Sequence, residues 1–169
     1  MSTTPDVTVQ ETGINKSDPS LQLIVSPFVA FLAQFPRDVV VPSILFYRNN
    51  YPLLSVVQSQ GETTIVCALS PHPEYHRGAS RAETGIPGIL ECFAVQPTSQ
   101  GGPYAVLSVK GPLDLTLTGI LNELTTPLRL AKVPIYAIST WNTDYILVPS
   151  EKLDRAVEVL KKTGWTFAD

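Results

Sequence analysis

The chain has 169 residues, a formal charge of −3, 44% hydrophobic residues and only 16% charged ones. Its 15 prolines and 10 glycines fall short of a low-complexity composition, so disorder and collagen-like structure are excluded for the chain as a whole. The acidic balance and the absence of any Lys/Arg run argue against nucleic acid as a partner, because phosphate binding needs a basic face.

Residues 1–19 are polar, carry Pro5, Gly13 and Pro19, and show no apolar periodicity; they are expected to form a mobile tail. The opening MSTTPDVTVQETG has neither the basic start nor the apolar core of a signal peptide, which sets a cytoplasmic location as the expectation. The longest apolar stretch, 21–35, contains Gln22, Ser26, Pro27 and Gln34 and is too short to span a bilayer, so no membrane partner is expected. That stretch opens with LQLIVSPFVAFL, read as a strand, and LLSVVQS and TTIVCAL follow as two more, joined by a turn at Gln60-Gly61-Glu62. The intervening DVVVPSILFYRNN is ambiguous, and its Pro42 discourages a regular helix. Residues 70–88 read as a long polar loop, ILECFAVQ as a strand, and PTSQGGP (97–103) as a linker. Cys67 and Cys92 lie in apolar stretches without a CxxC spacing, which favours buried thiols over a disulfide.

The last third is more legible. YAVLSVKG (104–111) reads as a strand, and TGILNELTTPLRLAKV (118–133) places Ile120, Leu121, Leu124, Leu128 and Ala131 on one helical stripe, with Pro127 expected to kink it. PIYAIST and DYILVP make a hairpin turning around Trp141–Asp144. Ser150 is the expected cap of a final helix whose Leu153, Ala156, Val157 and Leu160 follow helical spacing; Gly164 ends it, and WTFAD closes as a strand. The order β-α-β-β-α-β is that of a ferredoxin-like unit, an α+β architecture with an antiparallel sheet covered by two helices. The first half holds enough strands for a degenerate copy. The expected division is a tail over 1–19, a first unit over 20–97 with a loop at 70–90, and a second unit over 98–169.

Two segments gather groups able to hold a small ligand. Gly111-Pro-Leu-Asp114-Leu-Thr-Leu-Thr118-Gly119-Ile120 joins a strand to a helix, where free backbone N–H groups attract a carboxylate or phosphate. Thr140-Trp141-Asn142-Thr143-Asp144 adds hydroxyls, an amide, an aromatic face and a carboxylate. Asp114 or Asp144 would hold an ammonium while the helix N-terminus holds a carboxylate, an arrangement suited to a zwitterionic amino acid. The plainer alternative is that Thr116 or Thr118 caps the helix and Asn142 and Asp144 only make the turn.

Other constellations are weaker. His72-Pro-Glu74-Tyr-His76 is a proline-broken loop without the third or fourth ligand a metal site requires. There is no nucleophile elbow, no P-loop and no GxGxxG, and no cofactor is expected. Arg77, Arg81 and Glu83 read as a solvated face.

The pairing of VKGPLDLTLTGILNELTTPL with IYAISTWNTDYILVPSEKLDRAVEVLKKTGW resembles the ACT domain of small two-ACT, aspartate-kinase-like proteins and of CASTOR-type cytosolic arginine sensors. The resemblance is strong over 104–169, with LSVVQSQGETTIVC and LIVSPFVAFLAQF similar to earlier strands of those proteins. It implies tandem ferredoxin-like ACT domains forming a non-enzymatic regulatory module, with a free amino acid, arginine among the candidates, bound where two ACT units meet. Carried over by position, Asp144 meets a ligand cation, Thr140, Trp141 and Thr143 line the pocket, and backbone groups near Thr118, Gly119 and Ile120 take the other end. The partner surface would come from the chain's own first half or from a second copy in a homodimer, with an effector protein as a further partner. Two competing classes are an ACT-fold dimerisation domain without ligand and a small enzyme using His72 or His76 as base.

Overall fold

A computed structural model describes residues 14–47, 51–69 and 90–168. The loop expected at 70–88, with His72, Glu74, His76, Arg77, Arg81 and Glu83, lies outside the described residues. Six strands form one antiparallel sheet: β1 (Leu23–Pro36), β2 (Leu54–Gln58), β3 (Glu62–Leu69), β4 (Ser99–Val109), β5 (Tyr136–Ser139) and β6 (Asp144–Pro149). Their spatial order is β2-β3-β1-β4-β6-β5. Among the described residues three α-helices accompany them: α1 (Ile44–Tyr47), α2 (Ile120–Leu130) and α3 (Leu153–Lys162).

β1 and β4 are each long enough to serve two units. Over Val29–Pro36, β1 pairs with β3, and over Leu23–Gln34 it pairs with β4. The N-terminal half of β4 thus completes the first ferredoxin-like unit, and the N-terminal end of β1 completes the second. The register of β1 against β4 shifts between Val25 and Val29, around Pro27, whose missing N–H cannot join a ladder.

The α+β, ferredoxin-like expectation holds, with one sheet shared by both units. Four local expectations change. PTSQGGP (97–103) is no linker, because Ser99–Gly101 pair with Gln34–Leu32 as part of β4. ILECFAVQ forms no strand: Leu90–Cys92 make a 3-10 turn that inserts Phe93 against Phe35, ring centroids 4.4 Å apart and stacked. Ser150 is not a side-chain cap; a 3-10 turn, Ser150–Lys152, precedes α3 and the Ser150 hydroxyl is buried without a partner. WTFAD contributes a single parallel bridge, Leu23 to Phe167, instead of a strand.

One face of the sheet carries the helices. Ala105, Leu107 and Val109 of β4 and Ile146 and Val148 of β6 pack under Leu124, Leu128, Ala156, Leu160 and Trp165. Each such leucine stabilises the fold by roughly 1.5–3 kcal/mol through burial. Pro127 sits inside α2 and is buried with them, and the helix runs on to Leu130. In the first unit the same face carries Ala33, Phe35, Ile65 and Cys67 under Leu45 of α1 and Phe93. The two sets share a face because Val29 pairs with Ala105 on one side and Leu69 on the other. Pro42 begins the chain's turn into α1, of which four residues are described.

The segment expected as tail is held from Ile14 onward. Ile14 packs against the second unit's core, and Lys16 pairs with Glu123 at 2.8 Å, donates to the Thr163 carbonyl and lies over the Trp165 ring.

Candidate functional site

Three local structures converge at the end of β4. The chain leaves β4 through Gly111, whose φ of +68° favours glycine and whose absent side chain lets the Asn142 carbonyl approach; a Cβ there would lie 2.7 Å from that oxygen. Leu113 N–H donates to the same carbonyl at 2.8 Å, which ties the β4–α2 loop to the β5–β6 hairpin. The Asp114 carboxylate then accepts from both the N–H and the hydroxyl of Thr116 at 2.8 Å, and these two bonds, the backbone one first, lower its pKa.

The hairpin is closed by Thr140. Its N–H and hydroxyl donate to the Thr143 carbonyl, both at 2.9 Å, and its Oγ1 accepts from Thr143 N–H. The Thr143 hydroxyl donates to the Val109 carbonyl, fastening the loop to the end of β4. At the base, Ser139 and Asp144 are paired across the ladder, and the Ser139 hydroxyl donates to the Asp144 carboxylate at 2.6 Å. Asp144 is half-buried.

α2 begins at Gly119 in the left-handed region, φ +86°, and no side chain caps its first turn. The N-terminal N–H groups of the helix therefore face the loop with their partial positive charge uncompensated by a cap. Between this helix end and the hairpin lies a cavity of about 440 Å³.

Seven of the nine expected site residues line it: Asp114, Gly119, Ile120, Thr140, Trp141, Thr143 and Asp144. Thr118 and Asn142 do not. Thr118 is exposed and makes no cap, and Asn142 acts through its backbone carbonyl, as the anchor of Leu113. Sequence reading missed Ser139, which orients Asp144, and a rim of leucines. Leu115, Leu117 and Leu121 line the cavity while 65%, 48% and 36% exposed, and Trp141 beside them is 78% exposed. Leu121 was expected on the buried stripe of α2, yet it turns outward one step from Ile120. The alternation of leucine through LDLTL was the available signal, since a loop rarely needs two exposed leucines.

Chemically, the described residues lining the cavity bring two carboxylates and an uncapped helix N-terminus, and no lysine or arginine. Among the described residues no group of three or more His, Cys, Asp or Glu could hold a metal, and no helix is long and apolar enough to cross a membrane.

The sequence from near the start of β4 through α3 carries a family signature: residues 101–162 match the ACT domain. These residues are an ACT domain. The bovine protein named cytosolic arginine sensor for mTORC1 subunit 1 is 29% identical over 123 residues, covering 70% of this chain and 36% of the relative. Its human counterpart is 33% identical over 66 residues, 38% of this chain and 20% of the relative. The chain thus spans about a third or less of the length of these curated relatives. Among solved structures, a protein from Agrobacterium tumefaciens aligns with TM-score 0.60 at 20% identity, covering 87% of this chain and 91% of that one. The ligand-free regulatory subunit of aspartate kinase from Thermus thermophilus aligns with TM-score 0.54 at 11% identity, covering 83% and 94%. At these identities the structures establish the shared fold.

Proposed function

We propose that this chain is a non-enzymatic regulatory module that binds one free amino acid in the cavity between the start of α2 and the β5–β6 hairpin. The ACT domain and the arginine-sensor relatives point to a regulatory amino-acid-binding module in general. The finer reading is supported by one observation above all: an uncapped helix N-terminus and the Ser139-oriented Asp144 carboxylate border the same cavity. The first turn of α2 takes the ligand carboxylate, and Asp144 takes its ammonium or a side-chain cation. With Asp114 and Asp144 unopposed by a lining cation among the described residues, a basic amino acid such as arginine fits best.

The exposed Leu115, Leu117, Leu121 and Trp141 around the mouth favour closure by a second ACT surface in a homodimer, in keeping with ligand binding at an ACT–ACT interface. The alternative, an ACT-fold dimerisation domain without ligand, rests on the same rim. An effector protein would read the closed state.

A thermal-shift panel of the twenty free amino acids at millimolar concentration tests this. The expected result is a rise in Tm of several degrees with arginine or a small related set, absent in Asp144→Ala. A flat panel with a stable dimer would replace the sensor reading by the dimerisation one.

A further inference from the structure

At the other end of α2 lies a second, larger groove of about 820 Å³, between the outer flank of the helix and the turn leading into β5. Its charged residues are Arg129, Lys132 and Lys152, with Asn122, Thr125 and Thr126 beside them; among the described residues no Asp or Glu lines it. This is a concentration of positive charge on a chain whose formal charge is −3. Among the described residues none of the three cations makes an ion pair; the salt bridges found there join Lys16 to Glu123 and Arg155 and Lys162 to Glu158.

The backbone adds an independent observation. α2 closes with Lys132 N–H donating to the Arg129 carbonyl and Val133 N–H to that of Leu128, a closure that puts Lys132 in the left-handed region at φ +56°. Every other described residue with positive φ is a glycine: Gly102, Gly111, Gly119 and Gly164. Glycine would adopt this conformation without the steric cost a lysine carries, so the position holds an ammonium at the expense of backbone ease. Lys152 donates to the Lys132 carbonyl at 3.4 Å, which answers the negative end of the helix and leaves Arg129 and Lys132 facing the groove.

We propose that this groove is an anion site for a small ligand carrying two or more oxyanion charges, as phosphate or carboxylate. The cations supply charge-assisted bonds, and the threonine hydroxyls and the Asn122 amide supply neutral donors. Three cations on a net acidic chain suit a compact polyanion and are too few to hold a nucleic-acid or membrane surface. The inference stands apart from the amino-acid reading, although Asn122 borders both cavities.

The test is a 15N NMR titration of the full chain with pyrophosphate and, separately, citrate, at ionic strength held constant with sodium chloride. Shifts centred on Thr125, Thr126, Arg129, Lys132 and Lys152 with either probe support the site, and which probe binds tells a phosphate-bearing from a polycarboxylate ligand. Lys132→Gly separates function from folding: it relieves the left-handed lysine, so Tm is unchanged or higher while affinity falls about fivefold or more. Arg129→Gln should weaken binding about tenfold. Asp144→Asn should leave it unchanged. No shift at these residues up to about 10 mM probe, shifts reproduced by chloride alone, full affinity in Lys132→Gly and Arg129→Gln, or loss of binding in Asp144→Asn would each overturn the proposal.

Discussion

The two hairpins of the sheet are closed by the same loop and diverge at the residue pair beneath it. In the second unit Thr140 bonds the Thr143 carbonyl through its N–H and hydroxyl; in the first, Ser59 does the same to the Glu62 carbonyl, at 2.8 and 3.2 Å. The pairs at the base are Ser139 with Asp144 and Gln58 with Thr63. Ser139 and Asp144 bond to each other and border a cavity. Gln58 and Thr63 both donate to the Arg37 carbonyl, at 2.7 and 3.3 Å, and Thr63 is fully buried. Loop closure is a property of the repeat, whereas the side chains of one base pair decide between an open carboxylate and a sealed corner.

The largest effect is expected from placing the second hairpin's carboxylate at the sealed corner of the first. Thr63→Asp would bury a carboxylate against the Arg37 carbonyl, and urea unfolding should show a loss of about 3–5 kcal/mol with no new ligand response. Next in size is the ligand term itself. A bound amino acid at one hundred times Kd adds about 2.7 kcal/mol to the wild-type protein, and Asp144→Ala should remove it while leaving the unliganded Tm nearly unchanged. An Asp144→Ala protein that still responds would take Asp144 out of the site.

Burial of the first unit makes a pH prediction of similar size. Cys67 lies in its core, where desolvation raises the thiol from 9.0 to about 12. Because the folded state holds that proton more tightly, the stability it confers is full below pH 9 and lost as pH rises toward 12. Between pH 9 and pH 11 the loss attributable to this group should be about 2 kcal/mol; chemical unfolding of Cys67→Ala over that range should show a flatter profile by that amount. Gly111→Ala should cost about 1–3 kcal/mol from positive φ and the Asn142 contact, and should blunt the ligand response by displacing the hairpin. The smallest effect is expected of Thr143→Val, about 1 kcal/mol from the bond to the Val109 carbonyl. A cost much larger than that would mean the fastening also governs how the sheet closes.

The sequence reading and the structure part company in an orderly way. β1, β2, β3, the hairpin of β5 and β6, and α3 followed from hydrophobic period and turn residues, because each buries a regular stripe and its signal is local. PTSQGGP (97–103) misled because glycine, proline and serine also occur where one strand meets another closely: the Cβ of a residue at 102 would lie 2.8 Å from the Phe31 ring. ILECFAVQ misled because its apolar residues fill the space beneath α1 individually, Phe93 on Phe35, with no ladder partner. At the candidate site, Gly119, Thr140 and Asp144 were legible from residue type. Ser139 was not, since its role depends on which neighbour the fold brings near, and the outward leucines showed only in the alternation of LDLTL.

β1 and β4 each carry hydrogen bonds that belong to both halves of the molecule. Pulling either half apart therefore takes hydrogen-bond partners from a strand of the other, and the two halves are expected to open together. Amide exchange at Leu107 and at Val66 should consequently report the same opening event, and a ligand held at the far hairpin should slow both.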